Sequence, residues 1–232
     1  MTGPLIKVSY AEEIARAGLE IEAVKLSPEN PFTWASGYRM PIYNDNRMFL
    51  FNFDYRRLIS SGFLEMISNN EIHWNIIAGT STAGISPATT LADITESPLI
   101  YVREKPKDHG LKNKIEGIDA DSDLKGGRVV LVEDLISFGG SSAGAVQAIR
   151  NANGVCDYCL SIFNYGLKEA KDVFSSLRPK CNVLSLLTYD LLFRVAKETG
   201  YVNDEQIKVL EEWREDPRGW GERHRFPRIE RK

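Results

Sequence analysis

The stretch Val129-Val-Leu-Val-Glu-Asp-Leu-Ile-Ser-Phe-Gly-Gly-Ser141 sets four apolar residues before two adjacent acids and closes on a loop of Ser and Gly. A short apolar run bounded by turn residues reads as a strand buried on both faces, as in a parallel sheet covered by helices. Glu133 and Asp134 fall where that strand emerges. Gly139 and Gly140 then let the backbone turn its N–H groups toward a phosphate just before a helix begins. A nucleotide-type P-loop requires Lys followed by Ser or Thr after the glycines, and a dinucleotide fingerprint requires G-x-G-x-x-G; neither is present. With the acids ahead of the loop, the pattern describes a ribose-phosphate site. The carboxylates bond a sugar's two hydroxyls or hold a hard cation, and the loop after them grips the 5′-phosphate.

Working outward, short apolar runs at 75–79, 98–103, 128–133, 159–166 and 181–187 alternate with helical periodicity at 54–68, 85–93, 142–151 and 168–177. That alternation predicts an α/β fold with a parallel sheet, each helix crossing back over a sheet face. Ligands of such sheets bind outside the carboxyl ends of the strands, where Gly79–Gly84, Arg103 and Glu133–Ser141 all fall. A helix over 11–24 and a segment rich in Pro, Gly, Asn and aromatics over 28–47 precede this core. Amphipathic stretches at 190–198 and 204–213 follow it, the second with Asn203 as N-cap. The basic terminus, 221–232, reads as a solvated tail.

At 232 residues, with 43% hydrophobic and 26% charged, the chain is long enough for a full core and reads as one domain. No apolar run approaches the roughly 20 residues needed to cross a bilayer, and no signal pattern opens the chain, so a cytoplasmic protein without a membrane partner is expected. A net charge of −3 gives no general attraction to nucleic acid. Anion binding must come from local clusters, of which 103–114 is one. The three cysteines are read as free thiols. Cys156-Asp-Tyr-Cys159 has redox or metal spacing but lacks a second Cys or His pair and sits at an expected helix-to-strand junction. Asp119, Asp121 and Asp123 begin like a calcium loop, which Leu124 and Val130 at its sixth and twelfth positions exclude.

The 129–141 stretch resembles the phosphoribosyl pyrophosphate (PRPP) motif of the type I phosphoribosyltransferases. Three further segments narrow the resemblance to the orotate phosphoribosyltransferases: Pro31-Phe-Thr-Trp-Ala-Ser-Gly-Tyr-Arg-Met-Pro-Ile-Tyr-Asn-Asp-Asn-Arg47, Ile77-Ala-Gly-Thr-Ser-Thr-Ala-Gly84 and Tyr101-Val-Arg-Glu-Lys-Pro-Lys-Asp-His-Gly110. It runs from about residue 11 to 220. The resemblance implies a parallel-sheet core over 48–188 and a small hood over the base pocket, built from 1–47 and 189–220. The implied reaction moves ribose 5-phosphate from PRPP to N1 of orotate, giving orotidine 5′-monophosphate and pyrophosphate on the route to UMP.

By the same resemblance, Arg103, Lys107, His109 and Asp134 carry the catalysis. Glu133, Asp134, Leu135, Ile136, Ser137, Phe138, Gly139, Gly140 and Ser141 bind PRPP together with the three basic residues, and Ser137 also touches orotate. Thr80, Ser81, Thr82, Ala83 and Gly84 form the pyrophosphate loop, whose backbone N–H groups and hydroxyls suit an anion. The segment 103–117, charged and without an apolar period, reads as a long mobile loop. In the family it is shared across a homodimer and closes over the partner's site. Mg²⁺ is the implied cofactor, held mainly by PRPP and water with no direct protein ligand. Arg39 is expected near the bound anions.

The chain departs from the family at several points. Phe138 stands where Thr is usual, Glu104 where some members have Lys, and Met40 where Ser is frequent. Ala35 takes a position that some fill with Lys. Phe163-Asn-Tyr-Gly166 lacks the Arg that some members offer the orotate carboxylate. A transferase for another base, or a PRPP-sensing regulator, are the rival readings. The lack of an N-terminal DNA-binding segment counts against the second.

Overall fold

The computed structural model describes residues 9–105, 114–119 and 122–230. The chain begins with α1 (Tyr10–Glu20), whose start is fixed by the Ser9 side chain accepting from the Glu12 N–H, with Glu12 and Glu13 in the positive first turn. The helix ends four residues before the expected 24, because Glu22 turns into the left-handed region at φ 58°. Four short strands follow: β1 (Val24–Leu26), β2 (Phe32–Thr33), β3 (Arg39–Met40) and β4 (Ile42–Asn44), with β1 antiparallel to β4 and β2 to β3. A 3-10 turn (Asn46–Leu50) leads into α2 (Phe53–Asn69), capped by Asn52.

The core then alternates as the sequence predicts. It runs β5 (Ile76–Thr80), α3 (Ile85–Ile94), β6 (Leu99–Val102), β7 (Ile115–Glu116), β8 (Arg128–Ile136), α4 (Gly140–Asn151), β9 (Val155–Asn164), α5 (Lys168–Ser176) and β10 (Asn182–Thr188). These strands form a six-stranded sheet in the order β10-β9-β8-β5-β6-β7, parallel except at its edge, where β7 runs antiparallel to β6. From β5 the chain goes outward to β6, then returns to β8 on the other side of β5. The switch point therefore lies between the carboxyl ends of β5 and β8, where a ligand crevice opens in such folds.

Strand geometry divides the core. Val130 and Val132 face the layer of α1, α2 and α3, while Val129 and Leu131 face α4 and α5, as the two-residue period of a strand requires. Both sets are at most 2% exposed, which accounts for the unbroken apolar run. Two local readings change. The segment 103–117 is not irregular throughout, since Ile115, buried to 4% exposure, pairs with Val102 in β7. One apolar residue among charges has no period to reveal it. Strand β9 begins at Val155, so Cys156 and Cys159 lie inside it, buried and unpaired, rather than at a junction. The turn at Asn153 (φ 60°) and Gly154 sets that earlier start.

After the sheet come α6 (Tyr189–Glu198), α7 (Asp204–Glu215) and α8 (Trp220–Arg223). A reciprocal capping box between Asn203 and Gln206 starts α7. Helix α6 packs on α1, and Trp213 of α7 is fully buried, its Nε1–H directed at the Met40 sulfur. Trp213 also joins Trp34, Tyr165 and Tyr189 in one aromatic cluster, so the two ends of the chain share a core. Among the described residues no helix is long and apolar enough to cross a membrane.

The terminus differs most from expectation. Trp220 is fully buried and stacks with His224 and Phe226, the Ile229 N–H donates to the Gly37 carbonyl, and Arg228 lies over the Tyr38 ring. Residues 220–229 therefore dock on the β2–β3 hairpin through aromatic anchors hidden in a basic run. Trp220→Ala is expected to lower the unfolding free energy by about 3–5 kcal/mol, read from urea denaturation, because it empties a closed apolar site. An unchanged midpoint would show that the docking is not stabilising.

Candidate active site

At the switch point a cavity of about 600 Å³ opens, lined by Thr80 to Ala83, Arg103, Glu104, Lys114, Glu133 to Leu135, Gly140 and Ser141. Three sequence-distant segments thus meet as the strand order predicts. The 80–84 loop leaves β5 through a cis Ser81–Thr82 peptide bond and enters α3 at Gly84. A Cβ on Gly84 would overlap the Thr80 hydroxyl and come within 2.7 Å of the Val132 carbonyl, so this loop and β8 pack backbone to backbone. On the opposite side Gly139 takes φ 80° as the N-cap of α4, and no side chain caps that helix. Its first-turn N–H groups and dipole are left for an anion.

The two acids are not equivalent. Glu133 is 6% exposed, with Oε1 accepting from the Thr80 hydroxyl at 2.6 Å and the Asp134 N–H at 3.0 Å, while Oε2 accepts from the Ser142 hydroxyl at 2.8 Å. These bonds give it a bracing role between the two loops, while it still lines the cavity. Burial, followed by the neighbouring Asp134, pushes its pKa up to about 7. Asp134 stays half-buried at the crevice, its backbone carbonyl held by the Asn46 amide at 2.7 Å. Of the two adjacent acids, Asp134 is the more accessible to a ligand.

The cations are sparse. Arg103 lines the cavity and pairs with Glu116 of β7 at 3.3 Å, so its direction depends on the edge strand that sequence reasoning missed. Lys114 also lines the cavity; in the sequence it was one charge among several, and only the β6–β7 pairing singles it out. Lys107 and His109 lie outside the described residues. Glu104 faces the cavity and offsets one of these charges.

Other expectations resolve by position. The Ile136 side chain is 1% exposed in the apolar layer facing α4 and α5, so it reaches the phosphate loop only through its backbone. Leu135 lines the cavity wall, and Ser137 Oγ is buried with no partner, a hydroxyl free for a ligand. Phe138 turns toward the terminal layers and packs against their core. Arg39 is not at the anion crevice: it donates to the Pro31 carbonyl at 2.8 Å and stacks on Phe226. Met40, fully buried against Trp213, belongs to the core rather than to a pocket.

Comparison with known proteins follows the same lines. The phosphoribosyl transferase domain profile matches residues 53–164. The chain is 43% identical to the orotate phosphoribosyltransferase of Cytophaga hutchinsonii, over 92% of this chain and 99% of that one. It is 41% identical to that of Listeria monocytogenes serotype 4b, over 92% and 100%. The crystal structure of orotate phosphoribosyltransferase from Aeropyrum pernix shares the fold at a TM-score of 0.67 and 24% identity, covering 82% of this chain and 99% of that one.

A raised carboxyl pKa has a definite sign in folding. Relative to the ordinary 4.5, protonated Glu133 favours the folded state; its contribution is complete below about pH 4.5 and lost as pH rises through about 7. Glu133→Gln should therefore flatten the decline in stability between pH 5 and 8, by up to about 1.4 kcal/mol per pH unit, in denaturation series at several pH values. Parallel wild-type and variant profiles would refute the assignment.

Proposed function

We propose, from the premise that this chain belongs to the orotate phosphoribosyltransferases, an assignment of its residues to the family's reaction. The protein transfers ribose 5-phosphate from PRPP to orotate, forming orotidine 5′-monophosphate and pyrophosphate in pyrimidine synthesis. The observation that carries the assignment is the meeting of the 80–84 loop, Arg103 and the 133–141 loop around one cavity. The relatives named above, similar over nearly their full lengths, favour orotate over another base.

In the reaction the bond from C1 of the ribose to pyrophosphate breaks as N1 of orotate bonds to C1, and the sugar passes through an oxocarbenium-like state. Negative charge grows on the leaving group, so cations and N–H donors must face it and water must be kept from C1. The N–H groups at the start of α4, with Ser141, hold the 5′-phosphate. Asp134 bonds the ribose hydroxyls, and the 80–84 loop with Arg103 and Lys114 receives pyrophosphate. Lys107 and His109 complete that cluster from the partner subunit of a homodimer. The support is electrostatic: the two described cations at the cavity are matched by Glu104 and Asp134 and leave little positive charge for pyrophosphate.

Mg²⁺ fits the donor set in one way. Among the described residues there is no group of three or more His, Cys, Asp or Glu able to hold a metal, and Asp134, beside Glu133 and across from Glu104, is a carboxylate open to the crevice. A hard ion bound chiefly by substrate oxygens and water, beside Asp134, suits that sparseness. When bound it neutralises charge on the diphosphate. A cytoplasmic setting accords with three buried free cysteines.

Mixing the protein with orotate, PRPP and Mg²⁺ should consume orotate, followed by its absorbance; turnover of a purine base but not orotate would overturn the assignment. Sharing of the loop has its own test. Lys107→Ala and Asp134→Ala subunits, each inactive, should regain activity when mixed, since each hybrid holds one unmutated site. Hybrids that form yet stay inactive would mean that the loop serves its own subunit.

A further inference from the structure

The connection from α7 to α8 reads Asp216-Pro217-Arg218-Gly219 and is held as a turn. The Gly219 N–H donates to Asp216 Oδ1 at 3.0 Å, and the other Asp216 oxygen pairs with Arg223. The turn directs Arg218 at the phosphate loop, with its guanidinium carbon 4.8 Å from the centroid of the Phe138 ring. A side chain from the C-terminal layer thus rests on the residue that lies between Ser137 and Gly139.

The charge of Arg218 is uncommitted. Arg214 pairs with Asp190, Arg223 with Asp216, Arg39 donates to the Pro31 carbonyl and Arg228 to the Ser36 carbonyl. Arg218 has no carboxylate or carbonyl acceptor among the described residues, and its contact is with a ring face. A cation over an aromatic ring is positioned while its N–H donors remain free.

We propose that Arg218 is a specificity residue that binds the carboxylate of orotate, an inference that rests on the proposed reaction. Orotate differs from uracil by a carboxylate on the carbon next to N1, the atom that must reach C1 of the ribose above Asp134. A guanidinium fork takes a carboxylate through two parallel hydrogen bonds. Phe163-Asn-Tyr-Gly166 supplies no arginine for it. The unpartnered Ser137 hydroxyl is one residue from the platform and provides a further donor. The 5′-phosphate is the competing anion; Phe138 packs against the core that the sheet shares with the terminal layers, and Arg218 reaches its ring from the terminal side. Phe138 in place of Thr therefore exchanges a phosphate-facing hydroxyl for a surface that positions Arg218.

Orotidine 5′-monophosphate and uridine 5′-monophosphate share the phosphate and ribose and differ in the carboxylate. Wild type, Arg218→Ala and Arg218→Lys would be titrated calorimetrically with both, and KM measured for orotate and PRPP. Arg218→Ala should lose about tenfold or more in affinity for orotidine 5′-monophosphate, as expected for a charged hydrogen-bond donor. Its affinity for uridine 5′-monophosphate and its KM for PRPP should not change, and Arg218→Lys should fall between. Equal losses on both nucleotides would place Arg218 on the phosphate and overturn the proposal, as would no loss on either. A wild-type protein that neither consumes orotate nor prefers the carboxylated nucleotide would refute the underlying reaction, and the inference with it.

Discussion

The buried carboxylate of Glu133 is the constraint on which the active-site geometry depends. It accepts from Thr80 at the end of β5, from Ser142 in the first turn of α4 and from the N–H of Asp134. The loop after β5 and the loop after β8 are therefore referenced to the same pair of oxygens. In the proposed reaction the spacing between a 5′-phosphate and a diphosphate is fixed by the sugar that joins them, and a shared brace would hold their two cradles at a constant separation. Burying a carboxylate is unfavourable unless it is fully hydrogen-bonded. Here three donors compensate it, and the residual cost emerges as the raised pKa.

Charge limits what the described part of the crevice offers a diphosphate. A crevice that holds Arg103 and Lys114 beside Glu104 and Asp134 has little net attraction for a diphosphate, and its open volume admits water. In the proposed reaction both deficits are met by one event, closure of basic side chains over the bound donor. A permanently cationic, closed pocket would hold pyrophosphate and slow its release. In that proposed reaction, closure would couple neutralisation to water exclusion.

What the sequence made legible were features whose cause is local. β8 and α4 were evident because a two-sided buried strand must be apolar throughout and because the turn after it needs Gly139 at positive φ. The crevice could be placed at the strand ends because βαβ connection leaves little freedom in where such loops emerge. Non-local features were hidden. Nothing near Glu133 and Asp134 says which is braced; that is decided by Thr80, 53 residues upstream, and by Ser142. Ile115 showed no period because β7 is two residues long, and Lys114 had no mark without it. The terminus was read from its charges, whereas its fold follows from Trp220 and Phe226, which carried the overlooked signal.

The same distinction separates donor recognition from base recognition. PRPP presents phosphates and hydroxyls, which backbone N–H groups and short polar side chains can bind, so its determinants cluster at strand ends and make compact motifs. A planar base must instead be enclosed by side chains converging from separate elements. In the proposed reaction the terminal layers supply them: the buried cluster of Trp34, Tyr165 and Trp213 ties those layers to the end of β9, and the turn at Asp216 brings Arg218 to Phe138. Such contacts join residues far apart in sequence, as Trp34 with Tyr165 and Phe138 with Arg218, and fix no local pattern, so they can change without disturbing the phosphate loops. An arginine absent from β9 is then no defect, because its chemistry can be delivered from α7–α8 provided the phosphate loop offers a ring on which to rest it.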